Sequence, residues 1–178
     1  MSESTALRVA DLPQNTPTAF EIVPDKADLA ALAAELGVNA LRKTRFTGEI
    51  KALGKRDWQL TGSLGATVVQ DCVVTLEPVT TRIEEKVSIT YLSRMEVPEE
   101  DEAEMPEDDS TEALGSHIDP GAVMAEALAL HIPVYPRKDG AELGEAVYTK
   151  PGAEPMRDED ARPFAGLGAL RGLLKDED

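Results

Sequence analysis

Few residues in this chain have the type and spacing that chemistry requires. Cys72, His117 and His131 supply its only cysteine and its two histidines. A structural zinc site needs about four such ligands, usually with one close cysteine pair, and these three stand far apart. A single cysteine also excludes an intrachain disulfide. A nucleophilic cysteine needs a neighbouring base or a helix N-terminus to lower its pKa. "DCVVTLEPV", residues 71–79, offers neither, and its valines read as strand. Cys72 is therefore expected to be a small buried apolar residue. "TGSLGA", residues 61–66, holds a serine among glycines, but it is not G-x-S-x-G and it lies in an alternating run, not at a strand-to-helix elbow. "GEIKALGKR", residues 48–56, resembles a P-loop with its glycines one residue too far apart and no Ser or Thr to hold magnesium. No catalytic residue, cofactor, metal site or small-molecule substrate is expected.

Charge points elsewhere. The 178 residues carry 34 acidic and 18 basic side chains, a formal net charge of −16. That total opposes nucleic-acid binding, which depends on Lys and Arg displacing counterions from phosphates. The distribution weakens the objection. Residues 96–112, "EVPEEDEAEMPEDDSTE", hold ten of the acids and no base, which leaves 24 acids against 18 bases elsewhere. Between Arg42 and Arg56 there are six bases and one acid, Glu49. Arg42, Lys43, Arg45, Lys51, Lys55 and Arg56 are thus candidates to grip RNA phosphates, with Trp58 stacking on an unpaired base. The competing reading is a solvated sheet face with Trp58 packed in the core. The acidic run matches no EF-hand spacing, having no glycine at the sixth loop position. It reads as a solvated flexible segment, or as a mimic of RNA competing for the basic stretch in cis.

The elements that would position these residues follow from periodicity. "ALRVADL" and "TAFEIVP" read as short strands around a turn-rich "PQNTPT". A helix follows, capped by Asp25 or Asp28, with Leu29, Leu32, Ala33 and Leu36 on one stripe and Gly37 ending it. Three or four strands are expected next, over 40–53, 57–70, 72–79 and 82–92. Trp58, Leu60, Gly62, Leu64, Ala66 and Val68 share one face; Ile83, Val87, Ile89 and Tyr91 share another, which Glu85 interrupts. The connections are too short for crossover helices, so the order is an antiparallel meander. Residues 96–116 read as an acidic flexible insertion. Asp119 caps a second helix with Pro120 at its first position, and Pro133 ends it. "RPFAGLGALRGLLK", near the end, reads as a short amphipathic helix. The fold class is therefore α+β, a curved antiparallel sheet flanked by two or three helices, in one domain over 1–178. No run of about 18 apolar residues spans a membrane, and the first residues lack the pattern of a secretory signal. A cytoplasmic location is expected.

Three stretches together resemble the YceD family of bacterial and plastid proteins. They are "LTGSLGATVVQDCVVTLEPVTTRIEEKVSITYL", "HIDPGAVMAEALALHIPVYPRKDGAE" and the closing "RPFAGLGALRGLLK". The resemblance covers roughly residues 20–174 and rests on the order and spacing of motifs. Aligned on Leu76–Val79, Cys72 takes the first family cysteine position, while Val74 and Thr75 replace an Arg and the second Cys. The further cysteines that some members carry after the second helix are also absent, so the resemblance implies no metal here. It implies a non-enzymatic factor for large ribosomal subunit biogenesis and 23S rRNA accumulation. Its partner would be large-subunit rRNA, a pre-ribosomal particle or a basic ribosomal protein. Two rivals are a protein-interaction module using the acidic segment, and a hydrolase or nuclease, which would need clustered carboxylates around a metal.

Overall fold

Alternation of apolar and polar residues over long runs builds the centre of the molecule. The structure is a computed structural model that describes residues 5–94 and 110–142. Its main sheet has five strands in the order β2 (Thr18–Ile22), β3 (Ala40–Leu53), β4 (Asp57–Asp71), β5 (Pro78–Leu92) and β6 (Thr111–Ala113), with β1 (Leu7–Arg8) outside it. Neighbours pair antiparallel except β5 and β6, which run parallel. A separate two-stranded sheet joins β1 to β7 (His117–Ile118). The α+β class and the antiparallel sheet are as expected.

One face of the sheet is apolar and packs against two helices. Phe46, Ile50, Trp58, Leu60, Leu64, Ala66, Val68, Ile83 and Tyr91 are buried on it. Helix α1 (Lys26–Glu35) is capped by the Asp25 carboxylate, which accepts from the N–H groups of Ala27 and Asp28, both at 2.8 Å. Gly37, at φ +67°, takes the left-handed position just past its end. Ala33 is buried, and Leu29, Leu32 and Leu36 pack against the core. Helix α2 (Pro120–His131) is capped by Asp119 and buries Val123, Met124, Ala127 and Leu128. Phe46 and Phe20 meet at 5.1 Å, and there is no room for a side chain at Gly62, where a Cβ would stand 2.6 Å from the Phe46 ring.

Three expectations need correction. Residues 72–77 are not a strand: they form the turn between β4 and β5. Leu76 N–H donates to the Cys72 carbonyl at 2.9 Å, and Cys72 N–H donates to that of Glu77 at 2.8 Å. These bonds reverse the chain before the two valines can extend it, and Leu76 takes φ 58° to close the loop. "ALRVADL" gives only two strand residues and then a 3₁₀ turn, Val9–Asp11. The end of the acidic insertion is ordered, because residues 111–113 pair with β5. Residues 96–109 and the expected terminal helix lie outside the described residues.

Candidate nucleic-acid interface

The second face of the sheet is polar, and a bulge decides which bases reach it. Residues directly opposite in an antiparallel pair project to the same side. Arg42 lies opposite Thr67 and Arg45 opposite Gly65, so Lys43 and Thr44 together face one residue of β4. This β-bulge reverses the alternation of β3. Leu41 is buried before it, Thr44, Phe46 and Ile50 after it. Without it, Arg42 and Arg45 would point to opposite faces. With it, both share the outer face, and Lys51, opposite Gln59, joins them. Lys43 itself holds φ 49° at the bulge and is exposed. Lys55 and Arg56 are exposed in the turn between β3 and β4.

Strand β5 adds two bases that the sequence reading missed. Arg82 lies opposite Thr67 and Lys86 opposite Ser63, on the same outer face. Their signal was present, since they occupy the even positions between the apolar odd ones. Arg82 lies flat across the sheet, its Nη2 2.6 Å from where a Cβ on Gly65 would stand, so a larger residue there would push the guanidinium aside. Its Nη1 donates to the Lys43 carbonyl and to Thr67 Oγ1, each at 3.4 Å, and its Nε to Glu84 Oε1 at 3.2 Å. Arg45 Nη2 meets Glu21 Oε1 at 2.8 Å. Such exposed pairs add little stability, but they fix where the guanidinium groups lie. Arg42, Lys51 and Lys86 have no ion pair among the described residues. An open trough of about 430 Å³, lined by Arg45, Arg82 and Lys86 with Glu84 and Glu85 among others, runs over the centre of this face.

Trp58 does not belong to this surface. It is 1% exposed, on the inner face opposite Ala52 and Tyr91. Its indole has no face to offer a base. The even-residue parity of β4 that buries Leu60 and Leu64 buries Trp58 with them.

Cys72 is fully buried, but its surroundings are polar and not those of an apolar strand. Its Sγ accepts from the N–H groups of Val74 (3.4 Å), Thr75 (3.5 Å) and Lys138 (3.4 Å). The Thr75 hydroxyl first, and then these amides, lower the thiol to about 7 against the opposing effect of burial. Nothing beside Cys72 in sequence marks this environment, because the donors are turn amides and a residue far along the chain. The segment after α2 lies against this turn: Val73 N–H donates to the Pro136 carbonyl at 2.9 Å, and Lys138 Nζ meets Glu77 Oε2 at 2.8 Å. His131 Nδ1 lies 2.8 Å from the Ala127 carbonyl, and its Nε2 lies 3.8 Å from Glu85. Among the described residues, no three His, Cys, Asp or Glu side chains are grouped to hold a metal ion, and no helix is long and apolar enough to cross a membrane.

A family model described as large ribosomal RNA subunit accumulation protein YceD matches residues 60–171. No curated protein and no solved structure gives a match.

Proposed function

The chain belongs to the YceD family, and from that premise we propose that it binds large-subunit ribosomal RNA on the outer face of its sheet. The family's name implies a role in accumulation of that RNA, and names no reaction. The observation that carries the binding mode is the bulge at Lys43–Thr44. It turns Arg42 and Arg45 to one face, where Lys51, Arg82 and Lys86 also stand. Lys43, Lys55 and Arg56 extend this surface at the bulge and the hairpin turn. Side chains on a sheet face contact phosphates and riboses across a broad front, without entering the deep groove of an A-form helix. The residues act by neutralising phosphate charge, and the serine and threonine hydroxyls between them add donors. Trp58 takes no part. The protein would work in the cytoplasm on a pre-ribosomal particle, as one domain.

Part of this surface lies outside the matched region: Arg42 to Arg56 precede residue 60, whereas Arg82 and Lys86 fall within it. The test is a filter-binding titration of large-subunit rRNA with the parent chain and with Arg42→Glu/Arg45→Glu and Arg82→Glu/Lys86→Glu. Both pairs of reversals should weaken binding and flatten its dependence on salt. Unchanged affinity and salt slope in both would end the reading. A sucrose-gradient profile of ribosomal particles, with and without the protein, then checks the role itself: loss of large subunits is expected.

A further inference from the structure

Strand β5 has a long edge left open by the described residues. It runs from Pro78 to Leu92, and among the described residues only Thr90, Tyr91 and Leu92 pair outward, with β6. Among the described residues no strand pairs with the remainder of that edge. The backbone groups facing it can be identified. Thr90 N–H donates to the Ser110 carbonyl at 2.7 Å, and the Leu92 carbonyl accepts from Leu114 N–H at 2.8 Å, so even-numbered residues face outward. The register with β4 is unbroken along β5. Arg82, Glu84, Lys86 and Ser88 therefore direct their N–H and C=O groups into the open edge. Such an edge is a template for another strand.

Beside the edge, on the inner side, a groove of about 270 Å³ separates β5 from α2. Val87, Ile89, Val123, Ala127 and Leu130 line its apolar part, and Leu130 is 75% exposed. Its rim is mainly acidic. Glu112 and Glu126 are close enough that burial first, and then the charge of Glu126, hold the Glu112 carboxyl above its usual range. Glu85 points inward near His131. Lys86 stands at the outer rim.

We propose that this edge and groove receive an extended, cationic segment of a partner protein, added to the sheet as a strand beside β5. Main-chain bonds to Arg82, Glu84, Lys86 and Ser88 give the affinity, and alternate side chains enter the groove. The acidic rim selects the occupant. A second copy of this chain would bring another net charge of −16 against Glu85, Glu112 and Glu126. A phosphate backbone is repelled in the same way. A basic protein segment relieves the crowding of like charges and offers backbone groups to match.

The probe is a labelled peptide of about nine residues with valine at its central groove-facing positions, lysine at the groove-facing positions towards both ends and threonine at the outward-facing ones, long enough to pair along the open edge, titrated against the full chain by fluorescence anisotropy. Saturable binding is expected, weakened by about tenfold or more when the N–H groups facing β5 are methylated, a loss equivalent to one or two hydrogen bonds. Methylation at the other alternate positions, whose amides face away, should leave binding intact. The Glu112→Lys/Glu126→Lys chain should bind the peptide more weakly by a similar factor. These peptide variants leave the protein's own folding untouched. Equal binding by both methylated peptides, or by a glycine-for-valine peptide of the same charge, would reduce the contact to bulk attraction and overturn the proposal. So would displacement of the peptide by an RNA oligomer that the Glu112→Lys/Glu126→Lys chain binds no differently, or self-association of the chain through this edge.

Discussion

At Cys72 a turn makes an acceptor out of a side chain usually treated as apolar. Three amides and a hydroxyl converge on the sulfur, so the folded state favours the thiolate more than the unfolded chain does. The folded thiol titrates at about 7, against 9.0 for a free one. Its contribution to stability is therefore fully present above the unfolded value and is lost as pH falls through about 7. Denaturant unfolding of the parent should show a midpoint that rises between those two pH values, relative to Cys72→Ala. Parallel midpoints in the two proteins over that range would show that the sulfur gains nothing from these donors. Trp58 makes the opposite lesson. It was legible as an inner-face residue from its spacing with Leu60 and Leu64, yet its closeness to the basic run suggested stacking. Trp58→Phe should leave rRNA affinity unchanged, while Trp58→Ala should cost about 3–5 kcal/mol of stability by denaturant unfolding. A loss of affinity in a Trp58→Phe chain of undiminished stability would return the indole to the interface.

Among the elements, what could be read in advance was what periodicity governs. The expected strands at 40–53 and 57–70 agree with β3 and β4 to within a residue, because their alternation is sustained over many positions. The start of α2 was legible from Asp119 and that of α1 from two candidate caps, Asp25 and Asp28, of which Asp25 accepts the first free amides as Asp119 does. The short strands β6 and β7 were not, since three residues or two carry no period. The turn at 72–77 was masked by the strand preference of Val73 and Val74. The bulge was hidden for a related reason: nothing local marks Lys43, a lysine where glycine is the usual left-handed residue. That makes Lys43 a test of the element apart from its charge. Lys43→Gly should hold or raise stability, by about 0.5–1 kcal/mol, because φ 49° no longer strains a side chain. At the same time it should reduce the salt slope of rRNA binding by about one. Both quantities come from one preparation, by denaturant unfolding and by filter binding across a salt series. A falling stability would mean that the lysine side chain itself holds the bulge, and an unchanged slope that it touches no phosphate.

On the scale of the whole molecule, the described bases are concentrated on one face. The outer face carries Arg42, Arg45, Lys51, Arg82 and Lys86 with Glu21, Glu49 and Glu84 among them, while the inner side beside the β5 edge carries Glu85, Glu112 and Glu126. A chain of net charge −16 repels RNA at long range even if one face attracts it at short range, whereas it draws in a cationic protein segment at long range. The sequence between 96 and 109 holds nine of the 34 acids, so converting them to amides changes the net charge to −7 without altering length. Two ligands should then respond in opposite directions. Affinity for large-subunit rRNA should rise, since a repulsive field is removed. Affinity for the valine–lysine peptide should fall, since an attractive one is. Salt alone cannot separate these, because screening over a Debye length of about 10 Å at 0.1 M weakens both phosphate and peptide binding to the parent. The comparison belongs at one fixed ionic strength, with both ligands titrated against parent and amide-substituted chains. Repeating it in high salt should bring the two chains together for each ligand, as a long-range field requires. If affinity for RNA drops when the acids are removed, those residues contact the RNA or its partners directly. The outer face would then not be sufficient to account for binding.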